Sequence, residues 1–301
     1  MKLLVTGSRG QLGNELRRCL ESGVAEIGAI PGEYRGAAVD YVDYRELDIT
    51  DDGAVARWFA ERGPYDVVIN CAAATNVDGC ESDEEGAYRV NAIGAQNLAR
   101  AANACGAKFV HVSTDYVFSG TDSRPRCESD EAGPVSAYGR TKLAGEQLAM
   151  AACEHTFVVR TAWLYGYVGR NFAKTMMRLA REHGRIAVVC DQVGNPTSAN
   201  DLAYEILKIA LTDAYGVYHC TNEGTCSWFD FACAVVDGAG IPCEKERLTS
   251  AEYKARFPKS AARPAYSSLR NQHLEDTIGN EMRPWREALG TYLENLPELG
   301  D

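Results

Sequence analysis

The chain has 301 residues, 46% hydrophobic and 24% charged, which suits one large folded unit, alone or with a smaller companion, and argues against disorder. A formal net charge of -11, with a pI near 5.1, disfavours any general grip on nucleic acid or an anionic membrane, because the long-range field repels polyanions. No run approaches the ~20 apolar residues that span a bilayer, and the chain opens on a strand and a glycine turn rather than an apolar leader, so a cytoplasmic protein is expected.

Lys2–Thr6 is a short β-rich run, and after a glycine-rich turn residues 14–20 take helical spacing, with Leu16 and Leu20 four apart. IPGEYRG marks a loop before a second strand at Ala38–Val42, after an unusually long connection. Residues 65–71 (YDVVINC) read as a buried strand, 83–105 as one long helix and 108–113 (KFVHVS) as another strand. A helix rich in Ala, Leu, Glu and Lys covers 138–153, and 156–160 (TFVVR) is the next strand. Strands alternating with helices predict βαβ units, and strands apolar throughout predict a sheet covered on both faces. Beyond residue 160 the strands thin out; 202–211 and 228–237 look helical and 217–220 strand-like. The fold class that follows is α/β, a Rossmann-type doubly wound parallel sheet with a smaller C-terminal α/β substrate-binding region. Residues 1–160, completed by parts of 185–220, form the dinucleotide-binding domain, and 161–301 mainly bind substrate.

The eleven cysteines are odd in number and contain no Cys-x-x-Cys pair. Cys220, Cys226 and Cys233 lie near His219, but in no common zinc spacing. They read as reduced, small buried hydrophobes in a reducing compartment.

Gly7, Gly10 and Gly13 form G-x-x-G-x-x-G between the first strand and the first helix. Glycines there permit a tight turn, close approach to a pyrophosphate and close helix–sheet packing, and the helix N-terminus offers unpaired N–H groups to phosphates. Asp43, ending the second strand, could accept a hydrogen bond from a ribose 2′-OH, or could be a solvated loop charge. Arg45 could instead pair with a 2′-phosphate, so NADH and NADPH both stay open as cofactors. Tyr138 and Lys142 stand at i and i+4, on one helix face. By itself this is a common surface pair. An ammonium beside a phenol favours the phenolate, however, which would bring a pKa of about 10 toward the working range. The pair also follows the glycine turn and the S-T-D run at 113–115, set where a strand meets the ligand-binding edge of the sheet.

GSRGQLG, LDITD, VINCAAATNVDGCE, VSTDYVFSG, AYGRTKLAGE, RTAWLYG, NFAKTMMRLA, DQVGNPTSA and ARPAYSSL occur in that order over nearly the whole chain. Together they resemble the extended short-chain dehydrogenase/reductases, specifically the dTDP-4-dehydrorhamnose reductases. The resemblance implies hydride transfer from NADPH or NADH to C4 of a dTDP-4-keto-6-deoxy sugar. It implies cofactor-diphosphate contacts at Gly10, Gln11 and Leu12, an adenine end at Asp48 and Ile49, and a groove lined by Ala72, Ala73 and Ala74 with Val112 beside the cofactor. Tyr138 would be the proton donor, Lys142 its tuner and ribose ligand, and Thr114 a partner of the carbonyl. Asp115 and Trp163 would touch the sugar nucleotide, with core packing the alternative for Trp163. A dianion in an acidic protein needs local positive charge, so Arg263 and Arg270 are candidates for its diphosphate, with a solvated charge the alternative. Asn195, Pro196 and Thr197 would shape the substrate-side loop, or be only a turn.

Some family members hold Mg²⁺ at a dimer interface. Glu15 matches one such position, but Asn200 stands where an acid is wanted, so no metal is expected, and the assembly is a monomer or a homodimer. The related sugar-nucleotide dehydratases place Thr-Asp-Glu at the strand end, whereas here the third position is Tyr116. Non-catalytic regulatory subunits such as the β subunit of methionine adenosyltransferase share the fold, and intact Thr114, Tyr138 and Lys142 argue against that reading.

Overall fold

The computed structural model describes residues 1–296, so the last five residues of the predicted 161–301 region lie outside the described residues. In chain order, β1 (Lys2–Thr6) leads through the glycine turn into α1 (Gln11–Ser22), and β2 (Ala38–Val42) follows the long connection. Then come α2 (Asp52–Arg62), β3 (Val67–Asn70), α3 (Val77–Ser82) and α4 (Glu84–Tyr88). A π-helical turn at Arg89–Gly94 passes into α5 (Ala95–Ala104), β4 (Lys108–Thr114), α6 (Ala137–Ala152) and β5 (Thr156–Thr161).

β1 to β5 and the later strand Gly216–His219 make one six-stranded sheet, every pairing in it parallel. Across it the order is β2, β1, β3, β4, β5, then Gly216–His219. The chain moves one way from β1 to β2 and the other way from β1 to β3. That reversal opens a crevice at the carboxyl edge, where ligands of such sheets bind. Neighbouring positions put Thr6 beside Asn70, Asn70 beside His111, and Thr114 beside Thr161.

The strands are mostly apolar because both faces of the sheet are covered. One face packs Leu3, Val5, Val110 and Val159 against Leu12 and Leu16 of α1 and against Leu202, Ile206 and Leu207 of the helix Ala199–Ile209. The other packs Leu4, Val68 and Phe109 against Val55, Leu98, Ala99 and Ala149. A separate core around Tyr165, Phe231, Val235, Trp285 and Tyr292 holds the later residues, where helices Phe172–His183 and Trp228–Gly238 pack with the parallel strand pair Arg185–Val189 and Glu244–Leu248. No helix among the described residues is long and apolar enough to cross a membrane.

Several elements differ from the sequence reading, among them the helix Phe172–His183 and the strands Arg185–Val189 and Glu244–Leu248, which lie where that reading has the strands thin out. The predicted single helix over 83–105 is α4, a π-turn and α5. The π-turn brings Asn91 inward, where it accepts from the Ala74 N–H at 2.8 Å and donates to the Ala74 carbonyl at 3.2 Å and to Thr141 at 3.1 Å. α2 was not anticipated, because its one buried residue, Val55, gives it little apolar periodicity.

Candidate active site

A cleft of about 960 Å³ lies over the carboxyl ends of β1 to β5. One end is the glycine turn. Gly7 has φ +63°, and a Cβ on it would sit 2.6 Å from the Ala72 nitrogen; a Cβ on Gly13 would sit 2.5 Å from the Gly7 carbonyl oxygen. Gly10 caps α1 with no side-chain hydrogen bond, leaving first-turn N–H groups free toward the cleft, as an anion site requires. Gln11 accepts from Asn171 at 3.1 Å, and Leu12 is buried on the cleft wall.

Asp48 and Ile49 line the cleft beyond β2, the Asp48 carboxylate held by the Thr50 N–H and hydroxyl at 2.9 and 2.7 Å. Asp43 also lines it, accepting from the backbone N–H of Arg9 at 3.1 Å and of Tyr44 at 2.8 Å. Arg45 is exposed and outside the cleft. The cation beside Asp43 is Arg9, whose guanidinium pairs with Glu46. Ala72, Ala73 and Val112 border the cleft, whereas Ala74 packs away from it beside Cys80, Ala87 and Ala137.

At the other end stand Thr114, Tyr138 and Lys142. β4 ends at Thr114, and α6 begins with Ser136 accepting from the Gly139 N–H at 3.1 Å, which seats Tyr138 in the first turn, above the strand end. α6 lies close because Gly145 faces Asn91; a Cβ there would meet the Asn91 carbonyl oxygen at 2.1 Å. It is also tied down by a buried bidentate pair, in which Arg160 of β5 donates to Glu146 at 2.9 and 2.7 Å while Ser113 donates to the same carboxylate at 2.5 Å. Lys142 is 2% exposed and donates to the Val112 carbonyl at 2.6 Å.

Burial dominates the electrostatics. It lowers Lys142 to about 8, against an opposing pull from Glu146. It pushes the Tyr138 phenol up, with the Thr114 hydroxyl tempering the rise and Asp115 and Cys80 adding to it. Burial thus favours the protonated phenol, against the lowering that the sequence reading expects from Lys142. Asp115 is raised to about 6 by burial, and its Oδ2 is buried without a partner beside the cleft, as is the Thr161 hydroxyl. Trp163 takes φ 47° and stacks on Trp228 at 3.6 Å between ring centroids, forming an aromatic wall, with Gly194 behind it leaving no room for a side chain.

Arg263 is not on the cleft wall; it pairs with Asp78 at 3.2 Å. Arg270 is exposed, pairs with Glu275 at 2.8 Å and lies away from the cleft. The arginines that do line it are Arg9, Arg89 and Arg170, none of them singled out by the sequence motifs. Asn195 braces the substrate-side loop, donating to the Gly224 carbonyl at 2.9 Å and accepting from the Leu269 N–H at 2.8 Å. Sequence reasoning also missed Asn70, Asn91, His111 and Trp228. The signal for Asn70 and His111 was present: each is a polar residue inside an otherwise apolar strand.

Glu15 and Asn200 do meet, the Asn200 amide donating to the buried Glu15 carboxylate at 2.8 Å, with Arg18 at 3.6 Å. A neutral amide and a guanidinium already satisfy that carboxylate, so these residues do not suit a divalent cation. The eleven cysteines are all free.

A doubly wound sheet, a glycine turn under an uncapped helix and a Tyr–Lys helix face opposite it are the arrangement of an extended short-chain dehydrogenase/reductase. Over 298 residues the chain is 42% identical to the dTDP-4-dehydrorhamnose reductase of Mycobacterium tuberculosis (strain CDC 1551), covering 97% of this chain and 92% of that one. The crystal structure of a dTDP-4-dehydrorhamnose reductase from Clostridium acetobutylicum superposes with a TM-score of 0.91 at 45% identity, covering 99% and 100% of the two chains. The Bacillus anthracis enzyme of that name, solved in complex with NADP, does so at 0.89 and 37%, covering 98% and 99%. With the RmlD substrate binding domain model matching residues 1–297, the chain belongs to the dTDP-4-dehydrorhamnose reductase family.

Proposed function

We propose that this protein reduces dTDP-4-dehydro-6-deoxy-L-mannose (dTDP-4-dehydrorhamnose) to dTDP-L-rhamnose, with NADH or NADPH as hydride donor. The observation that carries the reading is the placing of Thr114, Tyr138 and Lys142 on one wall of a cleft whose far end is a phosphate-binding glycine turn. When bound, the dihydronicotinamide supplies the hydride for C4. Tyr138 gives its retained proton to the carbonyl oxygen as the hydride arrives, and Thr114, hydrogen-bonded to Asp115 at 3.0 Å, orients that oxygen. Lys142, one turn along α6 from Tyr138, would supply the positive charge that favours loss of the phenol's proton. The unpartnered Asp115 Oδ2 is an acceptor for a sugar hydroxyl, and the Trp163–Trp228 wall flanks the sugar nucleotide. Gly7, Gly10, Gly13, Gln11 and Leu12 cradle the cofactor diphosphate, with Asp48 and Ile49 at its adenine end. The division of labour follows, with 1–160 and parts of 185–220 for the cofactor and 161–301 mainly for the sugar nucleotide. Free cysteines throughout suit a cytoplasmic site of action.

The test is turnover. The purified protein should oxidise NADH or NADPH only when the dTDP-4-keto-6-deoxy-L-sugar is supplied, with dTDP-L-rhamnose identified by NMR. No turnover with that sugar would sink the reading.

A further inference from the structure

His111 lies in the middle of β4, fully buried, on the same row as Asn70 of β3 and Thr6 of β1. These side chains form a chain of contacts whose polarity can be read from one fixed point. The backbone N–H of Ala72 can only donate, and it donates to the Asn70 Oδ1 at 3.1 Å, while the Thr6 hydroxyl donates to the same oxygen at 2.7 Å. The Asn70 amide is therefore oriented with its NH₂ toward His111, where Nδ2 lies 3.1 Å from Nδ1. Nδ1 must accept. Burial keeps the ring neutral, well below the ordinary histidine range, so its one proton sits on Nε2. Nε2 lies 3.5 Å from the Lys142 Nζ, against 2.6 Å from that Nζ to the Val112 carbonyl oxygen.

We propose that His111 is a positioning residue which, its tautomer fixed by Asn70, presents an N–H rather than a lone pair to Lys142, and so makes the Lys142 ammonium a ready proton donor rather than a fixed charge. An ammonium has no lone pair to receive that N–H. The facing dipole opposes the charged form, and the longer approach to His111 than to Val112 is the stand-off of two donors. The other groups facing Lys142 are Glu146 one turn on, which favours the ammonium, the Cys71 thiol on β3, held neutral by burial at about 12, and Tyr138 one turn back. A lysine balanced in this way gives up its proton readily, and Tyr138, one turn back on α6, is the group of the site that needs one once the phenol has given up its own. This role rests on the reductase reading; the tautomer does not.

Two measurements test it. Long-range ¹H–¹⁵N NMR of the intact enzyme between about pH 6 and 9 should show His111 protonated at Nε2 and bare at Nδ1. A bare Nε2, or a doubly protonated ring, overturns the proposal whatever the enzyme turns over. Asn70→Asp replaces the donating NH₂ by an accepting oxygen and moves the proton to Nδ1, turning the Nε2 lone pair to Lys142. The basic limb of the kcat–pH profile should then move up by roughly one pH unit, and this shift should be absent when Asn70→Asp is made in a His111→Leu background. An equal shift in both backgrounds would assign the effect to the added charge alone and overturn the relay.

Discussion

Removal from water acts on the ionisable side chains of the cleft in ways that can be measured one residue at a time. Asp115 carries a carboxyl raised from 3.8 to about 6, so the native state binds a proton more tightly than the unfolded chain, and the group's contribution to stability is complete below about pH 4 and lost as pH rises through 6. That move corresponds to roughly 3 kcal/mol. Asp115→Asn should therefore gain on the wild type by about that amount between pH 4 and 7, read as diverging urea midpoints, while activity falls. Tyr138→Phe removes only the transferable proton; kcat should drop by roughly 10²- to 10⁴-fold with cofactor Kd nearly unchanged, and an equal loss of both would make the residue structural. Arg9 carries the one side-chain cation beside Asp43 on the cleft wall, so Arg9→Ala should raise the KM for NADPH about tenfold, the order of one lost charge-assisted contact, and leave that for NADH almost untouched. Matching rises for both cofactors would remove Arg9 from the choice between them.

Among the elements, β1, β2, β3, β4, β5 and α6 were legible because each is either a short, mostly apolar β-rich run or rich in helix formers. The glycine turn and the Tyr138–Lys142 spacing were legible because their chemistry lies within one local stretch. The rest depends on neighbours distant in sequence. Nothing local marks the π-turn at Arg89–Gly94: its causes are Ile49, which a Cβ on Gly94 would strike at 2.7 Å, and the bonds Asn91 makes to Ala74 and Thr141. Arg263 and Arg270 read as diphosphate ligands by charge alone, and their pairings with Asp78 and Glu275 are contacts that no local pattern announces. Likewise the Arg160–Glu146 pair joins β5 to α6 across fourteen residues of chain and fixes how α6 presents its catalytic face. Arg160→Leu, which leaves a buried carboxylate without its counter-ion, should cost about 3–5 kcal/mol. Arg160→Leu with Glu146→Leu should recover much of that loss in thermal denaturation. A double variant no more stable than the single one would show that the pair's partners elsewhere, Ser113 first among them, carry the effect.

Taken as a whole, the molecule is acidic yet brings Arg9, Arg89 and Arg170 to one cleft, so the field that repels polyanions at long range coexists with a local site for a dinucleotide. Its central sheet is completed from far along the chain. The edge beyond β5 is filled by Gly216–His219, and the face above β1, β3, β4 and β5 is closed partly by the helix Ala199–Ile209. A nascent chain that has emerged only as far as residue 161 holds every motif of the cofactor site, yet leaves the outer edge of β5, a strand buried at all six positions in the finished protein, without its partner, and an apolar sheet face uncovered. Synthesis of fifty or so further residues separates that moment from closure, at about 5–20 residues per second. A fragment ending at 161 should therefore aggregate or bind ANS, and one extended through residue 220 should stay monomeric in gel filtration. The seemingly self-sufficient first half of the gene is thus not a transplantable unit, and a ribosome paused between those two points holds out an aggregation-prone edge for a chaperone to guard.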